Sequence, residues 1–273
     1  MTAIAGYVAP EAKSGDLGVH SLDQFVLTVP NANVAEDFYT NFGLNMVRNG
    51  NSLQLKTFGH EHAWGSVVET SKAKALHHLS FGCYAEDIAR LKTRIEGAGV
   101  KLIDPPPGFE SNGFWFRNHE GVLMEIKVAP KVSPDQKSDS VWSPVGPGVA
   151  AASVRAKAPA VQPRRLSHVL IFTADVLGSI AFYERTLGLR LSDKASDLVA
   201  FMHGIHGSDH HMLALVKSSA PGFHHCSWDV SSINDIGLGA MRMADKGYTK
   251  GWGLGRHVLG SNYFHYVRDP WGS

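Results

Sequence analysis

Two histidine pairs, at 210–211 and 224–225, are the residues of this sequence best suited to chemistry. They bracket an apolar run (212–216) and a short polar segment (218–222), a pattern that predicts a strand, a turn and a second strand. Because successive side chains of a strand face opposite sides, one imidazole of each pair points into a given cavity. Imidazole is the commonest protein ligand for metals and also moves protons near neutral pH. Two pairs across a predicted hairpin therefore indicate half of a metal site, with solvated strand ends as the alternative.

The composition is that of an ordinary globular chain long enough for two domains. Its 273 residues are 44% hydrophobic and 19% charged. A net charge of +1 gives no indication of binding to nucleic acid or to an anionic membrane surface. We expect no membrane segment, since there is no apolar run long enough and no signal-peptide pattern at the start. The two cysteines, Cys83 and Cys226, exclude a disulfide framework and favour a reducing cytoplasm.

An internal repeat organises the chain. Each copy has an apolar strand and then a helix that ends at a glycine, such as the helix with apolar residues at 180, 183 and 187 before Gly188. The aligned segments are 22–46 with 166–191, 76–102 with 223–251 and, more weakly, 113–128 with 261–273. The sequence therefore reads as four similar modules grouped in two halves.

The repeat predicts an α+β fold of tandem βαβββ modules, two per domain, with curved sheets around a cavity. We expect an N-terminal domain at 1–130, a linker at 131–165 and a C-terminal domain at 166–273. The linker is rich in Pro, Ser, Gly, Ala and Lys, has no helix or strand periodicity, and is expected to lie over the surface.

The two modules of the second half supply a candidate metal site. His168 lies in the first strand of the third module and His225 in the first strand of the fourth, so symmetric pairing would bring them into one cavity. Two histidines and one carboxylate on one face of an iron ion leave the opposite positions free for substrate and oxygen. The carboxylate should come from the last strand of the fourth module, where the first half has Glu125. The given chain stops at Ser273, before that position, so we expect this domain to lack its last strand.

Five pieces of the second half resemble the type I extradiol ring-cleaving dioxygenases of the vicinal oxygen chelate superfamily. They are LSHVLIFTADVLGSIAFYERTLGL, HHMLAL, FHH, GRHVLGSNYFHY and VRDPWGS, in that order. The resemblance implies a glyoxalase-like fold and O2-dependent extradiol (meta) cleavage of a catechol-type diol at a non-haem Fe(II) or Mn(II) centre, in the degradation of aromatic compounds. It also implies a third ligand, a glutamate, about three residues beyond Ser273.

The resemblance assigns a role to five residues of this chain. His168 and His225 resemble the two metal-binding histidines. His211 resembles the histidine that acts as acid and base toward oxygen, and the Ala-Leu that follows it favours it over His210. His257 resembles the histidine that hydrogen-bonds the catecholate, and Tyr266 the tyrosine that contacts the substrate hydroxylate.

Other histidines receive other interpretations. His224 would be the ligand instead of His225 if the strand register slipped by one. We expect His203, His206 and His265 at the pocket rim or on the surface. For His257 and Tyr266 the alternative to a substrate contact is a structural role.

The first half is expected to be a degenerate copy that keeps the fold without the metal. Gln24 stands where the second half has His168, although His78 and Glu125 occupy the other ligand positions. The rival functions are a glyoxalase-type isomerase on zinc or nickel and a metal-free small-molecule binding module of the same fold. His211, His257 and Tyr266 favour ring cleavage over both. We expect a homo-oligomer, and we expect the 273-residue form to be weakly active or inactive.

Overall fold

The computed structural model describes residues 15–134, 147–148 and 154–273. The elements of the first half are β1 (Ser21–Val29), α1 (Ala32–Phe42), β2 (Asn45–Asn49), β3 (Ser52–Lys56), β4 (Ala63–Glu69), β5 (Ala75–Cys83), α2 (Ile88–Gly97), β6 (Leu102–Ile103), β7 (Phe114–Arg117) and β8 (Leu123–Val128). Those of the second half are a 3-10 turn (Arg155–Lys157), β9 (Arg165–Thr173), α3 (Val176–Leu187), β10 (Arg190–Ala195), β11 (Val199–His203), β12 (Leu213–Lys217), β13 (Gly222–Asp229), α4 (Ile233–Asp245), β14 (Gly251–Arg256) and β15 (Tyr263–Val267). None of the helices in these ranges is long and apolar enough to cross a membrane.

The strands form mixed sheets that follow the predicted repeat. The first half makes one eight-stranded sheet in the order β2-β3-β4-β1-β5-β8-β7-β6. The second half makes a five-stranded sheet, β10-β11-β12-β9-β13, and a separate hairpin of β14 and β15. In both halves an antiparallel central pair, β1 with β5 and β9 with β13, is flanked by a parallel strand. This arrangement confirms the α+β fold of βαβββ modules.

The domain boundaries remain predictions. β9 begins at Arg165, the last residue assigned to the linker. Of the predicted linker, 135–146 and 149–153 lie outside the described residues, as do 1–14 of the predicted first domain. The linker was expected to lie over the surface, but the side chains of Lys131 and Val132, in its described part, are buried.

The predicted hairpin between the two histidine pairs is wrong. β12 and β13 do not pair with each other, because β9 lies between them. β12 runs parallel to β9 on one side, and β13 runs antiparallel to it on the other. The segment between the two strands therefore crosses β9, and the histidine pairs approach the strand of His168 from opposite sides.

Helix ends follow the local signals in both repeats. Asn31 begins α1 and Asp175 begins α3, each with a side-chain oxygen that accepts a backbone N–H of the first turn. Gly43 (φ 108°) and Gly188 (φ 72°) end these helices in the left-handed region, which glycine adopts without strain. The predicted stop at Gly188 is confirmed.

The two halves are joined by reciprocal arginines. Arg94, on α2, donates to the carbonyl oxygens of Arg185 (2.8 Å) and Glu184 (3.1 Å) near the end of α3, and to that of Leu17 (2.6 Å). Arg242, on α4, donates in turn to the carbonyl oxygen of Asn41 in α1 (3.0 Å). A cation at a helix C-terminus satisfies orphan carbonyls and complements the helix dipole. Each half thus stabilises a helix of the other half.

Replacing Arg94 should destabilise the junction of the halves. We expect Arg94→Met to lower the free energy of unfolding by about 2 kcal/mol, because charged hydrogen bonds to carbonyls are lost. Urea denaturation measures the change. Lys92→Met, on the exposed side of the same helix, is the matched control. Equal stability of the two variants would contradict the prediction.

Candidate metal and substrate site

His168 and His225 face each other across the central strand pair of the second half. His168 is on β9 and His225 on β13, where His225 pairs with Leu170. Their Nε2 atoms are 3.2 Å apart and the rings meet edge to face. Both side chains are less than a tenth exposed. The antiparallel pairing of β9 and β13 therefore brings two buried imidazole nitrogens to one point.

Their surroundings keep both imidazoles neutral. Burial, followed by repulsion from His211, His225 and His257, lowers the pKa of His168 well below its usual value. Burial also lowers the pKa of His225 to about 3. The Nδ1 of His168 lies 3.3 Å from the hydroxyl of Ser167, and that of His225 lies 2.7 Å from the Nδ1 of His224. With the proton on Nδ1, each Nε2 keeps its lone pair for a metal.

This pair fits two adjacent ligands of one metal ion. Two nitrogens at right angles around an ion, with bonds of about 2.1 Å, are about 3 Å apart. Within the described residues, no group of three or more His, Cys, Asp or Glu side chains is arranged to hold an ion. The facing pair is the one that the sequence predicted as two of three ligands, and its role as ligands remains a prediction.

His211 lies beside the pair on the β12 side. Its ring centroid is 4.1 Å from that of His168 and 4.8 Å from that of Phe201. It is as buried as the other two histidines, and its Nδ1 lies 2.9 Å from the Nδ1 of His210. A third imidazole next to the facing pair can accept or return a proton.

The hairpin of β14 and β15 supplies a hydrogen-bonding pair. The Nε2 of His257 is 3.2 Å from the Oη of Tyr266, and the Tyr266 ring meets His225 edge to face at 5.0 Å. Burial raises the pKa of Tyr266 and lowers that of His257. All five predicted site residues thus come together in one cluster. Their roles remain predictions.

Two aromatic residues of the hairpin were missed by the sequence reasoning. Phe264 stacks on His257 with ring centroids 3.9 Å apart, and Trp252 stacks on Tyr266 at 5.6 Å. The alternation of Phe264 and Tyr266 in one strand was a usable signal for a shared face. Trp252 is on the paired strand, and nothing in its local sequence indicated its position.

The remaining histidines lie off the cluster. The His224 ring lies tilted against Phe172 with centroids 4.9 Å apart, and it contacts His225 through Nδ1. His203 and His265 are half-buried. The expectation for His206 was wrong, because that side chain is buried against Tyr84 of the first half, with ring centroids 5.1 Å apart. The junction of the two halves covers it.

The counterpart cluster of the first half is filled by a lysine. Gln24 turns away and donates to the carbonyl oxygen of Ala63 (2.8 Å). The Nζ of Lys127 is 2.8 Å from Asp23 and 3.9 Å from Glu125. A fixed ammonium therefore stands beside the carboxylate that sits at the predicted ligand position. This arrangement supports the interpretation of a degenerate copy.

Comparisons with known proteins agree with this architecture. A family model described as the Glyoxalase/Bleomycin resistance protein/Dioxygenase superfamily matches residues 21–126 and 165–273. Metapyrocatechase 2 of Cupriavidus necator is 46% identical over 255 residues, which are 93% of this chain and 79% of that protein. The Mn(II)-bound glyoxalase from Novosphingobium aromaticivorans aligns with a TM-score of 0.75 at 24% identity, over 93% of this chain and 80% of that chain. The 2,3-dioxygenase LapB from Pseudomonas sp. KL28 aligns with a TM-score of 0.73 at 20% identity, over 94% and 91% of the two chains.

The chain belongs to the Glyoxalase/Bleomycin resistance protein/Dioxygenase superfamily. The two solved structures share its fold.

His78, a buried histidine of the first half, should make stability depend on pH. Burial, followed by repulsion from His77 and Lys127, lowers the pKa of His78 from 6.5 to about 3. Between these values the unfolded chain binds the proton and the folded chain does not, so stability falls as the pH drops below 6.5. We expect His78→Gln to flatten this dependence by up to about 1.4 kcal/mol per pH unit. Urea denaturation of both proteins from neutral to acidic pH measures it, and parallel curves would contradict the prediction.

Proposed function

We propose that this protein cleaves a catechol-type diol next to its hydroxyl groups, with O2, at a metal centre held by His168 and His225. The observation that carries the proposal is the convergence of two buried, neutral imidazole nitrogens 3.2 Å apart, with a third imidazole beside them. The 46% identity to a metapyrocatechase, a catechol 2,3-dioxygenase, supports the same reaction class.

The extradiol dioxygenase relatives of this chain imply a catalytic metal. We propose Fe(II), with Mn(II) as the alternative. The ligand set suits both ions. When bound, the ion supplies a path for electron density between the diolate and oxygen. The resemblance assigns the third ligand to a glutamate after Ser273, outside the 273 residues.

The remaining residues bind the diol and move protons. Tyr266 and His257, hydrogen-bonded to each other, are placed to bind a substrate hydroxyl and orient the ring. His211 takes up a proton and returns it, since its ring lies beside that of His168 with centroids 4.1 Å apart. Phe264 stacks on His257 and Trp252 stacks on Tyr266, so these two rings support the pair that would orient the diol.

We also propose a cytoplasmic homo-oligomer that acts in the degradation of aromatic compounds. The two cysteines are free, which is typical of a reducing compartment. Size-exclusion chromatography with light scattering measures the oligomeric state.

Removing either ligand histidine should abolish metal binding and turnover. We expect His168→Ala and His225→Ala, in protein that includes the expected glutamate, to lose ferrous iron and the yellow ring-opened product from catechol. His224→Ala is the matched control and should retain most of the iron, because His224 contacts the Nδ1 of His225 and not the Nε2 proposed to bind the ion. Metal analysis and product absorbance after anaerobic loading give the readout. Loss of iron in His224→Ala alone would move the ligand to that residue.

Removing the third histidine should spare the metal and slow the reaction. We expect His211→Asn to bind iron like the unaltered protein and to lose about 10²- to 10⁴-fold in kcat, the range for a lost acid–base group. His210→Asn should have a far smaller effect, because its ring is not in the cluster. A His211→Asn enzyme with unchanged kcat would make His211 a structural residue.

A further inference from the structure

Lys74 of the first half makes a buried ion pair with Asp269 of the second half. Both side chains are only 6% exposed. The Nζ of Lys74 also lies 4.9 Å from the centre of the Phe223 ring. Phe223 is two residues before His225 on β13, and it stacks on Phe25 of the first half with centroids 5.9 Å apart. One lysine therefore contacts both the turn at 269–273 and the strand that carries a proposed ligand.

The turn at 269–273 is built around the carboxylate of Asp269. Its Oδ1 accepts the backbone N–H groups of Trp271 (2.9 Å) and Ser273 (3.1 Å). The backbone N–H of Asp269 donates to the carbonyl oxygen of Ser273 (2.9 Å). The path of this segment therefore depends on where the carboxylate is held.

The first half contains the same turn with a neutral residue. Asn118 accepts the N–H groups of Glu120 (3.0 Å) and Val122 (2.8 Å), and its own N–H donates to the carbonyl oxygen of Val122 (2.9 Å). This turn leads directly into β8, which pairs with β5 and carries Glu125. Asn118 is held from the other half by the hydroxyl of Tyr183, to which its Nδ2 donates (3.0 Å).

The two turns differ in the charge that holds them. By the repeat alignment, Lys74 corresponds to Pro221, so only the turn at Asp269 is paired with a lysine of the opposite half. A neutral asparagine and a tyrosine suffice where the half has no metal site. A buried carboxylate and a buried ammonium are costly to desolvate, and such pairs are often retained because they define one arrangement.

We propose that Lys74 is a positioning residue for the metal centre. From the first half, it holds the turn at 269–273 and the start of β13, and so it sets the position of His225 on β13 relative to His168 on β9. This inference rests on the proposed function, because it concerns the metal site assigned there.

Metal affinity and folding stability of Lys74 variants test the proposal. The probe is Mn(II) alone, with free ion quantified by electron paramagnetic resonance, on protein that includes the expected glutamate. We expect Lys74→Met to weaken Mn(II) binding at least tenfold. Lys217→Met, which removes a half-exposed ion pair with Asp197, is the matched control and should change nothing.

A double variant separates positioning from folding. Lys74→Met leaves the carboxylate of Asp269 buried without its cation, whereas Lys74→Met with Asp269→Asn recreates the neutral turn of the first half. We expect the double variant to regain the melting temperature of the unaltered protein while its Mn(II) affinity stays at least tenfold weaker. Recovery of affinity together with stability would overturn the proposal, as would unchanged affinity in Lys74→Met.

The proposed function fails in a different way. If His225→Ala binds Mn(II) as tightly as the unaltered protein, the metal site itself is wrong, and the role of Lys74 fails with it. If His225→Ala loses the ion and Lys74→Met does not, only the role of Lys74 is wrong.

Discussion

The facing imidazoles of His168 and His225 are the interaction on which the rest of the site depends. Two neutral nitrogens 3.2 Å apart in a buried place leave their lone pairs without a good mutual hydrogen bond unless one ring donates. A cation between them would satisfy both. The strand order makes this meeting possible. Because β9 lies between β12 and β13, His211 lies on one side of His168 and His225 on the other.

The first half contributes to this arrangement through contacts across the junction. Arg94 and Arg242 each bind the carbonyl end of a helix in the opposite half. Asn118 and Asp269, at equivalent turns, are likewise each held from the opposite half. Each half thus stabilises elements of the other half. Lys127, which stands beside Glu125, replaces in the first half the positive charge that a metal would bring.

Much of the fold could be predicted from the sequence because its signals are local and occur twice. The apolar strands and the helices that end at glycine recur along the chain, and they were sufficient to recognise four modules. Strand order could not be read in the same way. Residues 208–230 look like a hairpin, yet the parallel pairing of β12 with β9 separates the two strands. That pairing joins segments that are distant in the sequence, so no local signal indicates it.

The repeat pointed to His168 and His225, and the family resemblance pointed to His211, His257 and Tyr266; the structure brings all five together. Lys74 and Trp252 were not predicted. The partner of Lys74 is in the other half of the chain, and Trp252 is recognisable only once β14 is paired with β15. The burial of His206 was missed for the same reason, because it depends on how the halves meet.

Isotope labelling of the product tests the central claim most directly. The iron-loaded protein, with the expected glutamate included, is given catechol under 18O2 and the product is analysed by mass spectrometry. The account predicts a ring opened beside the diol with both atoms of one O2 molecule incorporated. An isomerised product without label, or no product from an enzyme with tightly bound metal, would contradict it.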